Sequence, residues 1–340
     1  MSGDANDGAD STGKAVVTGA AGFIGSHLVE ALRRSGTNVV GIDRKSSWAN
    51  REIPPTDERG SLHAVHADLV SADLSACLEN ASTVFHLAAL PGVRPSWTQF
   101  PEYLHCNVLA TQRLMDACVR SGVPKVVMAS SSSVYGGAEG TMSEDDVPRP
   151  LSPYGVTKLA AERLALAFAA RRDATLSVSA LRFFTVYGPG QRPDMFIGRV
   201  IRATLENTPI EVYGDGTQIR DFVHVSDIVH ALRLAATRFD EGSSVLNIGT
   251  GHAVSANEIL ALTGELTGLT PNARYGPARI GDVRATTADT GRAHRRLGFT
   301  ARTELRAGLA TQIEWARQVL SQAPAQGTAS SAGMAPTHRS

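Results

Sequence analysis

Tyr154 and Lys158 stand four residues apart in the segment YGVTK (154–158), which puts a phenol and an ammonium on one face of a helix. A free tyrosine titrates at about 10 and is a poor base near neutrality. A lysine beside it and an oxidised nicotinamide both favour the phenolate, bringing that value toward working pH. The pair then suits removal of the proton from a carbinol that gives up a hydride. On a helix the pattern YxxxK is common and mostly structural. Two companions give it weight here: a glycine-rich turn at 19–25, and a strand end, SSSSVYG (130–136), whose hydroxyls are placed to share a reacting oxygen with the tyrosine.

The glycine-rich turn runs Gly19, Ala20, Ala21, Gly22, Phe23, Ile24, Gly25, between an apolar strand and a helix. Glycines there allow a tight turn, close approach of backbone to a pyrophosphate, and close packing of helix on strand. The helix N-terminus adds N–H groups and a favourable dipole for phosphates. The spacing is GxxGxxG rather than the commoner GxGxxG. Asp43 closes the second strand, where its carboxylate suits the two hydroxyls of an adenine ribose and repels a 2′-phosphate, favouring NAD over NADP. Arg44 beside it tempers that preference, because a guanidinium is able to pair with a 2′-phosphate. Asp68 and Leu69 end the third strand; the Asp68 carboxylate either reaches the adenine or caps the loop.

The hydrophobic pattern supplies the elements that must carry these groups. Strand-like runs AVVTGA (15–20), NVVGID (38–43), LHAVHADL (62–69), TVFHLAA (83–89), KVVMASSSSVYG (125–136) and LSVSALRFFTVYG (176–188) are read from the sequence. Between them lie helical stretches at 25–36, 103–122 and 154–172. Such alternation predicts an α/β fold with a parallel sheet covered on both faces through right-handed crossovers. After residue 188 the alternation weakens and Gly, Pro and Arg-rich loops increase. Residues 14–188 are therefore expected to form a cofactor domain to which about 221–252 return, and 189–320 mainly a smaller substrate domain. Residues 1–13 read as a flexible lead-in and 321–340 as a disordered tail rich in Ala, Ser, Pro and Gly.

Composition narrows the partners. With 340 residues, 42% of them hydrophobic, the chain is able to bury a substantial core. Its formal net charge is zero, so nothing in the balance argues for nucleic acid or an anionic membrane, and any bound anion must be held by local arginines. No apolar run approaches the roughly 20 residues of a membrane span, and the polar, acidic start is unlike a signal peptide. Cys77, Cys106 and Cys118 are scattered without metal-ligand spacing, which predicts no metal site and fits a reducing cytoplasm.

From TGAAGFIG (18–25) through YGVTK to GTGHAVS (249–255) and GDVRATTAD (281–289), the sequence resembles the extended short-chain dehydrogenase/reductases, over roughly residues 14–317. The resemblance implies a Rossmann-type doubly wound parallel sheet with a smaller C-terminal substrate-binding α/β domain. It also implies a catalytic set of Ser131, Tyr154 and Lys158, with Lys158 contacting the nicotinamide ribose. Cofactor contacts are then expected from Gly19, Ala21, Gly22, Phe23, Ile24, Gly25, Asp43, Arg44, Asp68 and Leu69. Leu87, Ala88, Ala89, Asn107, Tyr154 and Lys158 complete that set. A homodimer through helices 104–121 and 154–171 follows from the same likeness, although an apolar stripe there looks the same if it is only core.

Members of that family share an opening step, in which the tyrosine takes the proton of a sugar 4-hydroxyl while NAD+ takes the C4 hydride. Nucleotide-sugar 4,6-dehydratases carry Thr-Asp-Glu at the strand end, where this chain has Ser131, Ser132 and Ser133 and no acid. The segments PGVR (91–94) and TVYGPGQRPDM (185–195) resemble UDP-glucuronate 4-epimerases, with Leu90 and Pro91 where those enzymes usually have Gln-Ala. A 4-keto uronic acid is a β-keto acid and loses CO2 if its carboxylate bond aligns with the carbonyl. Hydroxyls of Ser130, Ser132 and Thr185 are candidates to hold it out of alignment; strand-end capping is the plainer role for the two serines. Arg94, Met195 and Tyr154 are expected to touch the sugar. The resemblance further places Arg192, Arg220 and Arg279 on the diphosphate and Asp282 on the nucleotide ribose. UDP-glucose 4-epimerisation, decarboxylation to UDP-xylose, and a non-catalytic NAD-binding module are the alternatives. The last of these usually lacks the tyrosine or the lysine, and both are present.

Overall fold

The structure is a computed structural model that describes residues 13–48, 52–53, 56, 59–137, 140–238, 242–277 and 285–322. Arg279 and Asp282, the first 12 residues and the tail from 323 lie outside the described residues. The central sheet contains β1 (Lys14–Thr18), β2 (Asn38–Asp43), β3 (Glu52–Ile53), β4 (Leu62–His66), β5 (Ala81–His86) and β6 (Lys125–Ser131). Its later strands are β8 (Ser177–Phe183) and β12 (Ser244–Ile248); a short β7 (Thr141–Met142) precedes β8 in the chain, and β9 (Thr185–Tyr187), β10 (Ile210–Tyr213) and β11 (Ile219–His224) lie between β8 and β12. The spatial order is β12-β8-β6-β5-β1-β2-β4-β3, parallel throughout except for the antiparallel edge pair β3 and β4.

Strands such as β1, β6 and β8 are buried along almost their whole length, as a sheet covered on both faces requires. Two cores lie against it. One gathers Leu28, Val29 and Leu32 of α1 (Phe23–Arg34) with Ile228, Leu232 and Ala235; the other gathers Leu114, Met115 and Ala165 with Val84, Val126 and Val178. The helices that supply the second are α4 (Ala110–Arg120) and α5 (Pro153–Ala169), after the short α2 (Ser75–Leu78) and α3 (Phe100–Tyr103). α3 and α4 are joined by a wider π-type stretch at Leu104–Leu109, so the single expected helix at 103–122 is continuous but locally unwound.

The expected sixth strand, 176–188, is two strands. It breaks at Phe184, after which β9 leaves the central sheet and pairs with β11. The chain therefore crosses into the smaller sheet at Thr185, where β11 is also flanked by β13 (Ala253–Ser255) and β15 (Ala285–Ala288). The crossover helix α7 (Val225–Thr237) precedes β12, which pairs with β8 in the central sheet. Around the smaller sheets pack α6 (Phe196–Leu205), α8 (Ala256–Thr267) and α10 (Leu305–Gln322), while β14 (Ala273–Gly276) pairs with β10 and α9 (Gly291–Leu297) lies between β15 and α10 in the chain. Among the described residues no helix is long and apolar enough to cross a membrane.

Candidate active site

The strand order reverses between β1 and β5, which is where a parallel sheet of this kind opens a crevice at its carboxyl ends. Gly19 sits at that point with φ +70°, and a Cβ there would lie 2.7 Å from Ala88 N and 2.8 Å from Leu87 C. Leu87 N donates to Thr18 O at 3.1 Å, so the exit of β5 is tied to the exit of β1. A Cβ on Gly25 would fall 2.1 Å from Gly19 O; only a bare glycine lets α1 start so close to the turn. Gly22 is the N-cap of α1 and offers no side-chain cap, and the first turn, from Phe23 through Ile24 and Gly25, carries no acid. The N–H groups there are left for an anion.

Asp43, at the end of β2, accepts from Ala21 N at 2.9 Å and from Lys45 N at 3.0 Å, so its carboxylate braces the turn and keeps a lone pair on each oxygen. Asp68 accepts from Val70 N at 2.9 Å, and its other oxygen lies 3.4 Å from His105 and 3.6 Å from Arg44. Burial works upward on the Asp68 carboxyl, but the Val70 N–H, His105 and Arg44 outweigh it and hold the group below its ordinary value. Loop capping and a charged edge beside Arg44 are thus both present. Leu69 is buried in the core behind it. Backbone turn, uncapped helix start and terminal aspartate together fit a dinucleotide.

The Tyr154–Lys158 pair is carried by α5. Ser152 caps the helix by accepting from Gly155 N at 3.1 Å, and Pro153 occupies the first turn, where its missing N–H costs nothing. Tyr154 N donates to Ser96 Oγ at 3.0 Å, and Ser96 in turn donates to Val93 O at 2.6 Å, which ties the 91–94 loop to the start of α5. The half-buried Tyr154 ring meets Tyr103 edge-on at 6.2 Å. Burial pushes the Tyr154 phenol above its ordinary value; the Ser131 hydroxyl, within hydrogen-bonding reach, opposes this, Tyr103 adds to it, and Arg192 opposes it. The lowering expected from Lys158 does not govern the phenol here, where burial is the largest influence; the Lys158 ammonium donates to Ala129 O at 2.6 Å. Burial brings the Lys158 ammonium down to about 8, against an upward pull from Glu162.

Several expected contacts are placed otherwise. Ser130 is turned away from the cleft: its hydroxyl donates to Glu162 Oε2 at 2.7 Å in the interior, which corrects its expected role on the sugar. Alternation along β6 explains it, since neighbours on a strand face opposite sides. Asn107 is corrected likewise. Its amide accepts from Leu90 N at 2.7 Å and donates to Leu90 O and Thr157 Oγ1, so both N–H groups are used in bracing the β5 exit against α5. Arg192 clamps Asp194 through Nε and Nη2 at 2.9 and 2.5 Å and donates to Pro91 O at 3.3 Å. It therefore lies at the reacting end, where its charge is felt at Tyr154.

Arg94 is exposed, 4.9 Å from the Tyr213 ring. Met195 is the extended N-cap of α6, and Arg220 is half-buried on β11 with Nη1 donating to Ile219 O at 2.8 Å. Ser132 opens a 3-10 turn, Ser132–Val134, and Thr185 starts β9; both are half-buried. Ala89 follows Ala88 on the β5 exit. Ser96, Tyr103 and Glu162 were not singled out by sequence. Of these only Glu162 carried a signal, a charge one turn beyond Lys158.

A doubly wound sheet with this glycine turn and a Ser-Tyr-Lys cluster at its carboxyl edge defines an NAD-linked enzyme of the short-chain dehydrogenase/reductase class. Residues 15–249 match the NAD dependent epimerase/dehydratase family, and the chain belongs to that family. MoeE5, solved in complex with UDP-glucuronic acid and NAD, is 71% identical with a TM-score of 0.85, covering 90% of this chain and 100% of that one; it has also been solved with UDP-glucose and NAD. A UDP-glucuronic acid 4-epimerase from Bacillus cereus, in complex with UDP-glucuronic acid and NAD, is 36% identical with a TM-score of 0.81, over 90% of this chain and 99% of that one. The UDP-glucuronate 4-epimerase of Thermodesulfobacterium geofontis (strain OPF15) is 34% identical over 89% of this chain and 96% of its own length. The cofactor is NAD.

Proposed function

We propose that the protein is an NAD-dependent 4-epimerase of a UDP-sugar, interconverting UDP-glucuronate and UDP-galacturonate. The observation that carries this reading is the strand end, where Ser131 reaches Tyr154 and the following residues are serines with no carboxylate. Expelling the 6-hydroxyl needs an acid at that place; epimerisation needs only a base that returns its proton and a cleft in which the 4-keto sugar turns over.

NAD supplies the hydride acceptor and donor at C4. Tyr154 takes the 4-hydroxyl proton and gives it back, Ser131 shares the same oxygen, and Lys158 holds positive charge beside them. Ser132 and Thr185 hold the C6 carboxylate out of line with the 4-keto group, which blocks loss of CO2. Arg220 and Arg279 meet the diphosphate, Asp282 the nucleotide ribose, and Arg94 and Met195 flank the sugar. Gly19, Ala21, Gly22, Phe23, Ile24, Gly25, Asp43, Arg44, Asp68, Leu69, Leu87, Ala88 and Ala89 form the NAD cleft. Segment 14–188 with the return at 221–252 is assigned to the cofactor and 189–320 mainly to the nucleotide sugar.

The relatives that bind or act on UDP-glucuronate support a UDP-sugar and favour the uronate. UDP-glucose 4-epimerisation is the second reading, supported by the MoeE5 complex with UDP-glucose. Incubation of the purified protein with UDP-glucuronate, with products read by NMR, decides: UDP-galacturonate supports the proposal, whereas UDP-xylose or no turnover overturns it. A homodimer through 104–121 and 154–171 is part of the proposal, because Leu104, Leu109 and Val156 on those helices are 42%, 40% and 46% exposed. Sedimentation at micromolar concentration tests it. A cytoplasmic location accords with three free cysteines, Cys77, Cys106 and Cys118.

A further inference from the structure

Glu162 lies one turn beyond Lys158 on the same face of α5 and has no solvent exposure. Arg182 of β8, itself 1% exposed, clamps it with Nη2 to Oε1 at 2.7 Å and Nε to Oε2 at 3.0 Å. Ser130 donates to the same Oε2. The guanidinium is held from the other side by the Tyr135 ring at 4.7 Å, and Tyr135 donates to Asn247 Oδ1 at 2.6 Å. An ion pair so deeply buried adds little stability that well-packed apolar side chains would not match.

Its placement says more. Two consecutive residues of the β6 end are hydrogen-bonded to residues of α5 one turn apart: Ala129 O accepts from Lys158, and Ser130 donates to Glu162; Ser131, next along the strand, stands beside Tyr154, one turn before Lys158. The two reacting groups and the buried carboxylate thus share one strand end. We infer that Glu162 is a positioning residue for the reaction, serving as the buried counter-charge of Lys158 and, through Ser130, as the anchor of the strand end that carries Ser131. This rests on the reading of Tyr154 and Lys158 as the reacting pair.

The charges facing Lys158 are few. His86 of β5, held neutral by burial and by Lys158 itself, contributes no negative charge. Tyr154 is a neutral phenol at neutral pH in the cofactor-free protein, and Arg182 stands behind Glu162. Glu162 is therefore the anionic group that opposes the desolvation of the ammonium. Removing its charge lets desolvation act unopposed, so Lys158 sheds its proton at lower pH and the alkaline limb of the rate profile moves acidward.

The chain has four lysines, Lys14, Lys45, Lys125 and Lys158, so an NMR titration of lysine-labelled, cofactor-free protein resolves each, with Lys158→Met for assignment. Two variants are titrated: Glu162→Gln, and Glu162→Gln with Arg182→Met, which avoids stranding a buried guanidinium. The expected result is a fall of about one unit in the Lys158 midpoint and in the alkaline limb of kcat/KM. A folded variant with an unmoved midpoint overturns the counter-charge. Ser130→Ala keeps the ion pair and tests the anchor even if neither glutamate variant folds. Its kcat is expected to fall several-fold with KM unchanged, and an unchanged kcat overturns that role. Absence of wild-type turnover would instead refute the catalytic reading, leaving the NMR midpoints to judge Glu162 separately.

Discussion

Gly25→Ala separates the needs of the fold from those of the cofactor. The added Cβ would stand 2.1 Å from Gly19 O, 2.9 Å from Gly19 C and 3.0 Å from Ala20 Cα, all of them backbone. Ordinary contact begins at 3.4 Å, so the helix start and the turn must part by 3.4 − 2.1 = 1.3 Å. Overpacking of this kind costs about 1–3 kcal/mol, while alanine within a helix gains about 1 kcal/mol over glycine. The net loss of stability is then about 2 kcal/mol or less. Cofactor binding suffers more, since the same displacement moves the N–H groups that face the diphosphate and strains the Ala21–Asp43 brace. A hydrogen bond to a charged group is worth about 1.5–3 kcal/mol, so losing one or two of them weakens binding by about 100-fold. Thermal melting and NAD titration by calorimetry on the cofactor-stripped protein are the assays. The expected outcome is a folded protein whose Kd for NAD rises about 100-fold, and wild-type affinity would refute the reasoning.

Tyr154→Phe keeps the ring contact with Tyr103 and removes the base, so kcat is expected to fall by about 10²–10⁴ with NAD retained; full turnover would exclude Tyr154 as the base. Asp43→Ser removes the charge that repels a 2′-phosphate, and competitive titration should show the preference for NAD over NADP shrinking about 10-fold or more. His86 is kept neutral in the fold, with its value brought down to about 3 by burial first and Lys158 second. The unfolded chain therefore binds a proton that the fold refuses, and stability is lost as pH falls below about 6.5 toward about 3. Between about pH 7 and about pH 5 this loss is about 2 kcal/mol, measurable by urea unfolding. His86→Gln should flatten the slope by that amount; a wild-type slope would contradict the assignment.

Much of the fold was legible because parallel strands buried on both faces read as continuous apolar runs: NVVGID coincides with β2, and KVVMAS starts β6 at Lys125. The break at Phe184 was not legible, because both halves of LSVSALRFFTVYG are apolar and only the pairing of Thr185 with Phe222 reveals the change of sheet. In the candidate site, the pairing of Tyr154 with Lys158 on one helix face follows from spacing, whereas Ser131 came from the family likeness. Ser130 and Asn107 were misjudged for a common reason: a polar residue near a cleft satisfies its nearest buried partner first, and the partners Glu162, Leu90 and Thr157 lie 17 to 50 residues away in sequence. Ser96 could not be found from local pattern at all, since its role depends on an N–H contributed 58 residues later.

The central claim is that proton and hydride both come back to the sugar. Incubation with a UDP-glucuronate carrying deuterium at C4, followed by NMR of the products, tests it most directly. The account predicts UDP-galacturonate with the label still at C4. Loss of the label to solvent, or a 4-keto product released without re-reduction, would contradict it.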